Sequence, residues 1–369
     1  MAVYRIFPEK DTFISTENVL GNAGKDEVIE LGGYPDISGT GHTNRILIQY
    51  STVDIKDTIA NKIGTGSYSA SINLYLADAY ELPIEYNVYA YPVYGAWDSG
   101  VGKFGDIPTN KSGASWQYRQ STETNAWLLN SYPQYVTGSY DTPLNGGGNW
   151  YTASAGFNME FTQSHAINST NDVNVNITRA VQLINSNTLT NNGFILKLSD
   201  DIEYNMSSSI RLKYYSADTN TIYPPFLEFK WDDTTYSTGS LTVLSNSIAT
   251  IGVTNNKGKY PDIGKQRFRI SAKPKYPVRA FTTSSVYLKN YALPTASYWG
   301  LRDENTEEMV VDFDTKFTKV SCDSTGPFFD VYMDGLQPER YYRILVKTTL
   351  DGSTTVVDNQ NIFKVVRNG

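Results

Sequence analysis

"SIRLKYYS", residues 209–216, decides the fold class. Ile210, Leu212 and Tyr214 fall on one side of an extended chain, and Arg211 and Lys213 on the other. Successive side chains of a strand point to opposite faces, so this is a strand with one buried and one wet face. The period recurs. In "NRILIQYS" (44–51), Ile46, Ile48 and Tyr50 share a face, as do Ile72, Leu74 and Leu76 in "SASINLYLA" (69–77). "FLEFKWDD" (226–233) sets Leu227, Phe229 and Trp231 against Glu228 and Lys230. Half-buried strands in this number predict an all-β protein.

One helix interrupts the pattern. In "NITRAVQLINSNTLTNNG" (176–193), Ile177, Ala180, Val181 and Ile184 share a helical face, with Asn176 or Thr178 to cap the start. Asn192-Gly193 supplies a turn before the strand "FILKLSDD". Residues 100–170, rich in Gly, Ser, Asn and Thr, read as long loops over a sheet. The composition breaks at "DDTTYSTGS" (232–240), which predicts domains at 1–235 and 236–369. Shorter strands follow, and "TTLDGSTTVV" is a hairpin turning at Asp351-Gly352.

The 369 residues suffice for two domains, and 40% hydrophobic residues suffice for their cores. Tyrosine, at 28 copies, suits two-faced sheets and wet interfaces. The lone Cys322 excludes an internal disulfide. "MAVYRIFPEK" lacks the pattern of a secretory signal, and no apolar run reaches the roughly 20 residues that cross a bilayer. The expectation is a protein made in a cytoplasm without a membrane partner. The sequons at Asn168, Asn176 and Asn205 are then chance matches. Net charge is −7, divided unevenly: residues 1–232 carry 14 Lys/Arg against 24 Asp/Glu, and 233–369 carry 17 against 14. Nucleic acid is a poor partner for so acidic a first part.

Catalytic patterns are sparse. His42 and His165 stand alone in polar loops without the spacing of a zinc site, and no G-x-S-x-G elbow is present. Asp200-Asp201 and Asp232-Asp233 sit at strand ends, where acids solvate turns, which leaves Asp98 and Asp106 as the pair to inspect for glycoside hydrolysis. No D-x-D-x-D-G calcium loop occurs, and "NGGGNW" (145–150) lacks the lysine and helix of a phosphate loop and reads as a flexible turn. Neither a metal nor a cofactor is expected.

Two stretches favour contacts over chemistry. "VYGAWDSGVGKFGDIPTNKSGASWQYRQ" (93–120) carries Trp97, Trp116 and Tyr118, either packed on the sandwich edge or exposed as a platform for a sugar ring. "NKGKYPDIGKQRFRISAKPKYPVR" (256–279) holds eight basic residues and one acid. Lys265, Arg267, Arg269, Lys273 and Lys275 are its candidate assembly patch, with the wet face of an edge strand as the alternative.

Resemblances sharpen these readings. "GLQPERYYRILV" places Leu336, Pro338 and Tyr342 in the L-x-P-x-x-x-Y pattern of a tyrosine corner and resembles fibronectin type III and related immunoglobulin-like sandwiches. "DTFIS", "NAGKDEVIELGGY", "NRILIQYSTVDI", "SASINLYLADA", "NVYAYPVYGAWDSGVGKFGD", "GASWQYR", "VNVNITRAVQLI", "NNGFILKLSDD" and "PPFLEFKWDD" follow one another in an order similar to the DNRLRE-type jelly-roll, a relative of carbohydrate-binding modules. Arg45 stands where that family has an arginine before its central strand, and Trp97 and Trp116 at its loop tryptophans. "YRIFPEKDTFI" and "GLQPERYYRILVKTT…FKVVRNG" resemble virion structural proteins of tailed bacteriophages, particularly marine myophages of cyanobacteria. Together these imply a jelly-roll β-sandwich followed by a smaller immunoglobulin-like sandwich. The implied role is a non-enzymatic virion component in neck, tail, baseplate or capsid, binding copies of itself and other virion proteins. A glycan- or receptor-binding module is the alternative, followed by a polysaccharide-acting enzyme.

Overall fold

A computed structural model describes residues 2–121, 125–127, 136–139, 146–204, 209–277 and 289–368. The sequon Asn205 and the end of the basic stretch, Arg279, lie outside them. The protein is all-β, with 47% of residues in strands and 8% in helices. It divides into two compact units. One comprises Ile6–Gly64 and Ser69–Glu228; the other comprises Phe229–Gly369 with the pieces Met1–Arg5 and Thr65–Tyr68. This division falls within strand Phe226–Trp231, and the composition break expected at 235/236 follows that strand.

In the first unit the large sheet runs Phe161–Ala166, Glu85–Pro92, Phe194–Leu198, Gly41–Tyr50, Val28–Pro35, Ile210–Tyr215, Leu76–Tyr80. Pro8–Ser15 also pairs with Gly41–Tyr50, and these pairings are antiparallel. Strand Ile210–Tyr215 alternates as its sequence dictates: Ile210, Leu212 and Tyr214 are buried, Arg211 and Lys213 half-buried. Strand Gly41–Tyr50 does not. Ile46, Ile48 and Tyr50 are buried on one face, but Arg45 and Leu47 are buried on the other. The expected wet face is absent because loops cover it. Ile14, Leu47 and Ile195 meet Trp97, Ala114, Trp116, Trp127 and Trp150 there in a second apolar cluster.

The helix Thr178–Asn185 buries Ala180, Val181, Leu183 and Ile184, and Asn176 Oδ1 accepts the Thr178 N–H at 3.0 Å. Two further helical segments occur among the described residues of the first unit. Thr52–Asp57 starts at the Ser51 cap and continues as a π-helix over Thr58–Ile63, burying Ile55, Ile59 and Ile63. Asp200–Glu203 forms a single turn after strand Phe194–Leu198.

The second unit is a smaller sandwich. One sheet orders Ala249–Val253, Lys265–Pro274, Gly326–Tyr332 and Ser321–Asp323; the other orders Lys259–Pro261, Ser353–Val366, Tyr341–Leu350, Ser297–Asp303 and Met309–Val311. Phe268, Trp299, Phe329, Tyr342 and Phe363 form its aromatic core, with Trp299 stacked on Phe329 at 5.0 Å. The hairpin closes at Leu350↔Ser353, with Asp351 and Gly352 both at positive φ, 49° and 74°, as a type I′ turn requires. Tyr342 donates its hydroxyl to the Gln337 carbonyl at 2.9 Å, which pins the crossing into strand Tyr341–Leu350.

Candidate functional site

The most concentrated polar chemistry is buried in the first unit around Arg45. This side chain leaves the covered face of Gly41–Tyr50, where no water can reach it. A buried guanidinium needs its charge paired and its donors occupied. Both needs are met. Nε and Nη2 donate to the Glu203 carboxylate at 3.1 and 2.6 Å, Nη1 donates to the Gly147 carbonyl at 2.7 Å, and Nη2 also donates to the Tyr204 hydroxyl at 2.9 Å. Burial alone would lower the Arg45 pKa; the Glu203 charge and its hydrogen bonds outweigh burial and raise it.

Local sequence places each partner. The turn Asp200–Glu203 folds back on Ser199 through the Glu203 N–H at 2.9 Å, which aims Glu203 inward. Thr43 Oγ1 donates to the Glu203 carbonyl at 3.2 Å, and Gly33 lets the turn approach closely, since a Cβ there would lie 2.7 Å from the Glu203 oxygen. Lys197, buried on the neighbouring strand, donates to Asp200 at 2.6 Å and lies 3.4 Å from Glu203. The indoles of Trp116 and Trp150 flank the guanidinium at 5.1 and 5.4 Å.

"NGGGNW" is not a flexible turn. Gly146–Tyr151 is a buried strand lying over Arg45. A Cβ on Gly147, at φ 80°, would meet Trp116 Cζ2 at 2.6 Å and Arg45 Nη1 at 2.7 Å. Only glycine permits that approach.

The loop tryptophans are part of this packing. Trp97 and Trp116 are 1% and 2% exposed. Trp97 Nε1 donates to the Asn192 carbonyl at 2.8 Å, and Lys10 caps the indole at 4.5 Å. Buried Asn22 ties the loop down, donating to the Ser99 and Ala114 carbonyls and accepting from the Gly24 and Gly102 N–H groups. Of the two readings of Trp97, Trp116 and Tyr118, the two indoles take the packed one: both rings are buried in the cover over the sheet. Tyr118 alone stays half-exposed, lining a dimple of about 10 Å³, room for a single water, with Leu20, Lys111, Ser115, Gln120 and Ser121. Asp106 accepts the Lys103 N–H at 2.9 Å and closes a turn, and the Asp98 backbone bonds to Arg119 and Ala114. Asp98 and Asp106 are thus turn and loop residues.

In the second unit the middle of the basic stretch is paired with carboxylates. Arg267 binds Asp330 through two hydrogen bonds at 2.8 and 3.0 Å, with Lys265 at 3.4 Å from the same carboxylate. Arg269 binds Asp323 at 2.8 Å through both nitrogens. Both guanidiniums lie against the Phe328 ring, at 3.8 and 5.3 Å. Lys273 is likewise engaged, and Lys275 lies 5.9 Å from the Tyr276 ring. Of the five candidate patch residues, Lys265, Arg267 and Arg269 thus form cross-strand ion pairs, and Lys275 is exposed. The edge-strand alternative is corrected, since Lys265–Pro274 has Ala249–Val253 and Gly326–Tyr332 as partners.

Among the described residues, no group of three or more His, Cys, Asp or Glu side chains converges as a metal site. No family model and no curated protein matches the chain. Among solved structures, a DUF4785 family protein from Legionella pneumophila is similar at 10% identity over 99% of this chain and 68% of that one. Its TM-score of 0.18 carries no argument.

Proposed function

We propose that the chain is a non-enzymatic structural component of a tailed-phage virion, acting through protein–protein contacts. The observation that supports this most is the Arg45 centre. The strongest charges and the largest aromatic rings of the first unit are used internally, each bonded or stacked against another. Such an arrangement fixes loops on a rigid sandwich and leaves its groups no freedom to attack or protonate a substrate. The test is mass spectrometry of purified virions with copy-number estimation. Several copies per particle are expected, and absence from particles would reject the proposal.

The half-exposed ring of Tyr118 supports a second reading, a weak glycan contact on the same scaffold. A glycan array in which Tyr118→Ala removes a hit would support it, and an array without hits would end it.

A further inference from the structure

We propose that an apolar rim of the first unit, formed by Tyr80, Leu82, Ile84 and Ile167, docks a second copy of this chain through the basic loop around Ile263. The rim lies at one end of the large sheet. Ala166 pairs with Glu85, so Ile84 and Ile167 leave the same end of that ladder; residues 81–84 connect it to Leu76–Tyr80, the strand at the opposite edge of the sheet. The four side chains are 61%, 38%, 70% and 74% exposed, more apolar surface than one short turn needs to offer water. Pro83 stiffens the turn and Glu81 holds a left-handed φ of 51°, so the rim is formed before any partner arrives.

Charge names the occupant. Asp78, Glu81 and Glu85 border the rim, are exposed, and have no cation partner among the described residues. The partner should therefore offer an apolar tip beside positive charges. The chain carries such a tip. Ile263 is 56% exposed, and Lys257 and Lys259 on the same loop are exposed without a carboxylate partner among the described residues. The acid next to the tip, Asp262, is half-buried and accepts the Asn368 N–H at 2.8 Å, leaving the two lysines in excess. This tip is rigid as well: Lys259–Pro261 pairs in parallel with Ser353–Val366, and the Tyr260 ring is buried with its hydroxyl accepting the Lys257 N–H at 2.7 Å. Two different surfaces of one chain thus complement each other, which makes the contact heterologous.

The inference rests on the reading of the chain as a repeated structural subunit, but its test uses purified protein and is independent of any particle. Sedimentation velocity of the full chain should show concentration-dependent association that weakens as salt rises from about 0.05 to about 0.5 M. Ile84→Glu with Ile167→Glu should raise the dissociation constant about tenfold or more with an unchanged circular dichroism spectrum. A copy carrying Glu81→Lys and Glu85→Lys should not self-associate, nor should one carrying Lys257→Glu and Lys259→Glu, whereas their mixture should form a heterodimer. A wild-type chain that stays monomeric, or charge-reversed copies that fail to combine, would overturn the second-copy contact. Chains monomeric in solution yet abundant in virions would overturn it while leaving the structural role standing.

Discussion

Arg45 and Arg267 make the same bond in opposite surroundings. Each grips a carboxylate with two nitrogens, Glu203 for Arg45 and Asp330 for Arg267. The Arg45 and Glu203 side chains are 1% and 0% exposed; the Arg267 side chain is 44% exposed. Desolvating an ion costs several kcal/mol, so the buried pair persists only because Gly147, Tyr204 and two indoles complete its shell. The second pair is exposed on one side only: the Arg267 guanidinium keeps water, while the Asp330 carboxylate is 8% exposed and shared with Lys265, so Arg267 by itself contributes less to stability. One site is therefore an anchor for loops, the other a way of keeping a basic strand soluble.

Removing one member of the buried pair is the severest test of that contrast. Arg45→Met leaves Glu203 buried with only Lys197 nearby, and should cost about 3–5 kcal/mol in urea denaturation followed by tryptophan fluorescence. Adding Glu203→Leu should return much of the loss, because an apolar pair of similar volume needs no desolvation. A single-variant cost below about 1 kcal/mol would place Arg45 in the same class as Arg267 and erase the distinction.

Acid response should separate the two units next. Asp11, in the first unit, is buried, and burial pushes its carboxyl from 3.8 up to about 6 despite the Ala217 N–H at 2.7 Å. Its folded state prefers the proton, so its contribution is fully present below 3.8 and is lost as pH rises through about 6. The shift corresponds to about 3 kcal/mol at neutral pH. Asp323, in the second unit, behaves oppositely: its hydrogen bonds from Arg269 pull it down to about 2, so its stabilisation is present above 3.8 and is lost as pH falls towards 2. Calorimetry from pH 2 to 7 should find Asp11→Asn gaining on the parent as pH rises, and Asp323→Asn losing its deficit as pH falls. Parallel pH profiles for both variants would contradict the assignment.

The sequence disclosed what is local and hid what is not. Strand Ile210–Tyr215, the Asp351-Gly352 turn and the Tyr342 corner are legible because each signal lies within a few residues, set by backbone period, positive φ or a bond to Gln337. The helix from Thr52 was equally legible, with Ile55, Ile59 and Ile63 four residues apart behind the Ser51 cap; the preceding strand's alternation masked it. Arg45 finds Glu203 158 residues away and Gly147 102 residues away. In its local context Glu203 is one acid in a run ending a strand, and nothing adjacent marks it as buried. For the same reason Arg267 and Arg269 read as free charge, since Asp330 and Asp323 lie 63 and 54 residues away.

The smallest expected effects test the exposed side of the comparison. Tyr342→Phe removes one hydroxyl whose partner is a backbone carbonyl, and should cost about 1 kcal/mol, read as a shift in the urea midpoint with an unchanged slope. Arg267→Ala should cost less than about 1 kcal/mol, because Lys265 remains 3.4 Å from Asp330 and the guanidinium it replaces was already hydrated. Part of even that small loss would come from the contact with the Phe328 ring rather than from charge. Arg267→Met separates the two: it keeps the stem on the ring while discarding the ion pair. If Met restores the parent midpoint, the pair contributes orientation and solubility alone; if Met matches Ala, the charge itself carries the stability, and this strand is closer to Arg45 than its exposure implies.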